Sequence, residues 1–98
     1  MNIEEHLDRF WNELDGEIKI VAIAACKTVI DGETKKKIFE EYDKDPVYWW
    51  AKYHFYWGMY IRNKIRELTK ITDDKLPSGN WDDYYIQAVE TSLGLREI

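Results

Sequence analysis

The chain has 98 residues, a length for one domain and not for two. Hydrophobic residues make up 45% of it and aromatics 15%, including five Trp and seven Tyr, which argues against disorder and lets a small core form without staples. Cys26 is the single cysteine, so no intramolecular disulfide or cysteine-based zinc site forms, as suits a reducing cytoplasmic setting, and a net charge of −5 disfavours nucleic-acid binding.

The first residues are acidic, unlike a signal peptide. Asn2 with Glu5 has capping-box spacing, and Ile3, Leu7, Phe10, Trp11 and Leu14 follow at helical intervals, with Gly16 as the break. In 17–30, Ile18, Ile20 and Val21 favour a strand locally. Ile18, Val21, Ala22, Ala25 and Val29 form a helical stripe, and with no pairing partner for a strand the segment reads as helix. Its apolar run from Ile20 to Cys26 is far short of the roughly 20 residues that span a membrane. Asp31-Gly32 reads as a C-terminal stop, and a short charged helix is expected from about Glu33 to Tyr42.

Asp45-Pro46 is a helix start, and one long helix is expected from Pro46 to about Thr69. Wound as a helix, Trp49, Trp50, Tyr53, Tyr56, Trp57 and Tyr60 share one arc, with Ala51 and Gly58 beside it where a second helix could approach closely. Residues 72–79 read as a loop with Asp73-Asp74 as unremarkable members. Asn80 and Asp83 have capping-box spacing and open a last helix to about Leu93, stopped by Gly94. The expected fold is all-α, a single domain over 1–98, with four to five helices bundled around the aromatic helix at 46–69.

No histidine pair, phosphate loop or nucleophile elbow appears, so neither a metal site nor an enzyme is expected, and no cofactor is implied. Cys26 sits among apolar residues, where thiols are inert. Asp82-Asp83 suits the first turn of a helix better than acid–base work. The candidate binding residues are Tyr53, His54, Tyr56, Tyr60, Arg62 and Asn63. Arg62 either lays its stem over neighbouring aromatics or grips a carboxylate or phosphate, oriented by Asn63 or by Asp82 across the fold.

The stretch His54-Phe55-x-Trp57-Gly58-Met59-x-Ile61-Arg62-Asn63, with Pro77 and Asp82-Asp83 downstream, resembles an uncharacterised family of small bacterial and phage proteins with the pattern H-F-x-x-G-M-x-I-R-N. The resemblance implies a shared fold nucleus and carries no activity with it.

Small size, acidic charge and an aromatic surplus point to a non-enzymatic protein-interaction module, such as an inhibitor or accessory protein of a phage or mobile element, that binds a protein partner or a second copy of itself. The alternative is a small-ligand or nucleotide-binding protein with an aromatic pocket around Arg62.

Overall fold

The structure, a computed structural model, describes residues 3–96. The described residues are 72% helical and contain no strand, the expected all-α architecture. They form α1 (Ile3–Glu13), α2 (Gly16–Val29), α3 (Gly32–Lys44), α4 (Trp57–Thr69) and α5 (Tyr85–Ser92), with single 3₁₀ turns at Ala51–Tyr53, Asp73–Lys75 and Trp81–Asp83. None of these helices is long and apolar enough to cross a membrane.

Short polar residues set the starts. The Asp15 carboxylate accepts from the amides of Glu17 (2.9 Å) and Ile18 (3.4 Å), so the chain re-enters a helix directly after α1. The stretch expected as helix over 17–30 therefore does form one, ending at Val29, and Ala22, Ile23, Ala25 and Cys26 turn inward. Asp31 caps α3 by accepting from the Thr34 amide at 2.7 Å, and this bond holds its carboxyl below the usual range. Gly32 is accordingly the first residue of α3 and not the stop of α2, whose exit at Ile30 is ordinary extended backbone. Asn2, the first half of the expected capping box, lies outside the described residues.

The largest departure from expectation concerns 46–69, where the helix is not continuous. Asp45 does cap the start, accepting from the amides of Val47 and Tyr48. The backbone then winds with three-residue bonds (Ala51 to Tyr48, Tyr53 to Trp50, Tyr56 to Tyr53) and leaves helical geometry at Tyr56, with φ −116° and ψ −92°. The regular helix α4 begins only at Trp57. Tighter winding breaks up the expected aromatic arc. Trp49 drops into the core, with its indole N–H 3.4 Å from Glu90 Oε1. Trp50 folds back to donate to the Val47 carbonyl at 3.0 Å. Aromatic side chains lose rotamer freedom in an α-helix, and here burial of one Trp and local bonding of its neighbour outweigh the regular ladder.

The helix at the centre of the bundle is α5, not the aromatic segment. Every residue from Tyr85 to Thr91 is buried, and α5 packs on α1, α2 and α4. Its start also differs from expectation: Asn80 caps only the 3₁₀ turn Trp81–Asp83, and Tyr84 separates that turn from α5. Gly94 does end the element, at φ +77°. Most polar groups of α5 find partners, in α5 itself, on α1 or on Trp49 and Arg96, whereas Gln87 Oε1 is buried without one among the described residues. Thr91 Oγ1 donates to the Gln87 carbonyl at 2.7 Å, and Arg96 Nη2 bonds Asp8 Oδ1 at 2.6 Å. Arg96 Nε lies 3.5 Å from Glu90 Oε2 without hydrogen-bond alignment. Burial pushes the Glu90 carboxyl above its usual range, and Arg96 opposes this only in part.

Gly58 is where α4 meets α5. A Cβ there would stand 2.8 Å from the Tyr85 hydroxyl oxygen, 3.2 Å from Arg62 Nη1 and 3.3 Å from the Tyr53 carbonyl oxygen. Its expected companion Ala51 is exposed, so the close approach is confined to Gly58. Tyr85 is fully buried and hydrogen-bonded, and the Tyr53 carbonyl is backbone, so neither can step aside cheaply. Gly58→Ala is therefore expected to lower stability in urea unfolding by about 1–3 kcal/mol, despite a helix-propensity gain of up to about 1 kcal/mol. A net gain would contradict the close contact.

Candidate functional site

Arg62 leaves α4 on its inner side and is only 6% exposed. A buried guanidinium must be neutralised and hydrogen-bonded, and three residues from three parts of the chain do this. Its Nε reaches Asp82 Oδ1, from the turn before α5, at 2.6 Å. Nη1 donates to the His54 carbonyl at 3.1 Å and lies 3.3 Å from His54 Nδ1. The guanidinium also rests 4.9 Å from the centre of the Tyr85 ring, a cation–π contact from α5. His54 Nδ1 and the Tyr85 hydroxyl close the cluster at 2.7 Å.

Protonation states follow from these neighbours. Burial first, and then the Arg62 charge, lower the His54 pKa, with Asp82 opposing. The imidazole is therefore neutral at pH 7. Because Arg62 Nη1 can only donate and also faces Nδ1, the neutral ring carries its proton on Nε2 and Nδ1 accepts from the Tyr85 hydroxyl. Burial pushes the Tyr85 phenol up to about 12, so it stays a donor. A phenol shifted that way is no nucleophile, and Nε and Nη1 of Arg62 are already engaged by Asp82 and the His54 carbonyl. The cluster ties the chain together internally.

The six candidate residues thus divide. His54 and Arg62 are brought together, as was Asp82 with Arg62 in the cross-fold alternative. Asn63 is exposed on the other side of α4, where its Oδ1 accepts from Arg66 Nη1 at 2.8 Å. Tyr53 is half-buried on a cleft of ≈ 170 Å³ with Thr34, Lys37, Ile38 and Trp57. Tyr56 and Tyr60 point to solvent, Tyr56 at 79% exposure. Beside them Phe55 is 75% exposed, and Tyr48 and Met59 are also exposed. These five exposed side chains, Tyr48, Phe55 and Tyr56 from the segment before α4 and Met59 and Tyr60 from its first turn, are termed the aromatic ridge.

Two participants had not stood out in the sequence. No motif marks Tyr85, and only the crossing of α4 and α5 at Gly58 brings its hydroxyl to His54. Asp73, taken for plain loop, receives Arg66 Nε and Nη2 on its two oxygens at 2.7 and 3.0 Å and accepts from the Trp81 amide at 3.1 Å. The carboxylate fork belongs to Arg66 and not to Arg62, and it holds Asp73 below the usual range. The seven-residue spacing from Arg66 to Asp73 was the available signal. Cys26 is fully buried, and burial pushes its thiol to about 12, so it is inert as expected. Among the described residues no group of three or more His, Cys, Asp or Glu is placed to hold a metal ion.

The His54 environment sets a pH dependence. A base whose folded pKa lies below its unfolded value of about 6.5 binds fewer protons when folded. Its contribution to stability is complete above pH 6.5 and is lost as pH falls through the folded value. Urea unfolding at pH 7.5 and 5.5 should show wild type losing more stability on acidification than His54→Gln, which retains His6 as an internal control. Equal losses in the two proteins would contradict the neutral, buried imidazole.

No protein-family model, curated protein or solved structure matches the chain.

Proposed function

We propose that this chain is a non-enzymatic protein-interaction module whose contact surface is the aromatic ridge of Tyr48, Phe55, Tyr56, Met59 and Tyr60. The observation that carries the reading is the exposure of Phe55 (75%) and Tyr56 (79%) on a segment fastened from within by Arg62, His54 and Tyr85. Rigid aromatics held outward by a fixed backbone lose little freedom on binding. From Pro46 to Arg66 the chain has four basic residues and no acidic one, although the whole carries 19 acidic residues. Each of the four pairs with a carboxylate from elsewhere in the chain (Glu41, Asp82, Glu67 and Asp73), so the ridge is flanked by neutralised charge. The same proposal covers a cytoplasmic setting, suited to a lone inert thiol, and an inhibitor or accessory role for a phage or mobile element, suited to the small size and the H-F-x-x-G-M-x-I-R-N resemblance.

A small-ligand reading retains one specific support, the cleft beside Tyr53. Its volume of ≈ 170 Å³ falls below the roughly 300–1,000 Å³ of ligand pockets, so it suits a fragment smaller than a nucleotide.

The test is affinity capture from native lysate of the source cells, with wild type and Tyr56→Ser as baits. Wild type should retain a protein that the variant loses, while the melting temperature stays nearly unchanged because the ring is exposed. Retention by both baits would contradict the ridge as the contact surface. So would a loss of roughly 3–5 kcal/mol of stability in the variant, the signature of a buried aromatic.

A further inference from the structure

A second surface, which shares no residue with the ridge, involves α2. Between Ile18 and Cys26 its only polar residue is Lys19, whose ammonium lies over the Trp11 ring at 5.7 Å. A helix apolar nearly all round is normally surrounded by protein, yet here Ile20 is 66% exposed and Val21 40%. Ile20 stands beside an open groove of ≈ 300 Å³ lined by Val21, Ala24, Ala25 and Thr28 of α2 and Leu68 of α4. One patch thus offers both a protruding isoleucine and a recess with a small-residue floor.

Knob and recess are related by a symmetry that points to a particular occupant. Ile20 and Ala24 lie two residues to either side of the level of Ala22. Glu17 and Lys27, both exposed, lie five residues to either side of the same level, or about 7.5 Å at 1.5 Å per residue. Two α2 helices laid antiparallel about a two-fold axis at that level place Ile20 of each over Ala24 of the other. In the same register Glu17 of each meets Lys27 of the other. An unrelated partner would require neither coincidence, whereas an isologous contact requires a self-complementary patch. We infer that two copies of the chain pair antiparallel through α2, each seating Ile20 in the α2–α4 groove of the other. The apolar seat supplies the attraction, and the charged ends fix direction and register.

Sedimentation equilibrium over a broad concentration range tests the inference on the full chain. Wild type should form a dimer. Ile20→Glu should sediment as a monomer with unchanged circular dichroism, since the side chain is exposed in the single chain. Glu17→Lys and Lys27→Glu should each weaken the dimer about tenfold, because two pairs per dimer turn from attractive to repulsive. The double swap should restore it. Phe55→Ser should leave the dimer intact, which separates this surface from the ridge. Four results would overturn the inference: a wild type that is monomeric throughout, a dimer that survives Ile20→Glu, a double swap no better than the single swaps, or a dimer abolished by Phe55→Ser.

Discussion

One buried positive charge organises this fold. Arg62 points into the protein, and an unpaired guanidinium there would be heavily penalised. Its neutralisation draws Asp82 in from the turn before α5 and the His54 carbonyl in from the segment before α4, while the Tyr85 ring from α5 lies against its face. The room for this comes from Gly58, where a single Cβ would collide with Tyr85 and crowd Arg62 and the Tyr53 carbonyl. Residue 58 lacks a side chain because three groups from separate elements converge there.

The same knot accounts for the outward aromatic surface. With the His54 carbonyl and ring held inward, its neighbours Phe55 and Tyr56 have no inward space left and face solvent. The segment stays in place without regular α-helical bonds because Trp49 is buried at one end and Arg62 grips the other. A ridge supported in this way is preorganised, which separates it from an aromatic loop that would have to order on binding.

Local signals in the sequence revealed the helix starts at Asp15, Asp31 and Asp45 only in part, because a short polar residue before an apolar stripe does not say which flanking element it caps. Asp31-Gly32 was thus read as a stop when it is a start. Periodicity identified the α2 helix correctly, since a strand there would have had no partner. It failed for 46–69, where aromatic abundance suggested a core helix. Abundance counts apolar surface without saying where it goes, and three-residue winding sends Trp49 inward and Tyr56 outward. Conversely, α5 contains Gln87, Glu90 and Thr91, so composition concealed its central position. Arg62 and His54 were legible as unusual residues beside an apolar stretch. Their partner Tyr85 was not, because that contact depends on how two helices cross.

Hydrogen exchange on Arg62→Met probes the central role of Arg62 most directly. Methionine keeps much of the apolar stem and removes the charge, and half-exposed Asp82 can rehydrate, so the bundle should remain folded. The amides bonded within 51–56 should then lose most of their protection, while those of α2 from Ala22 to Cys26 keep theirs. Unchanged protection at 51–56, or an equal loss throughout the chain, would contradict the account that Arg62 fastens the aromatic segment to the core.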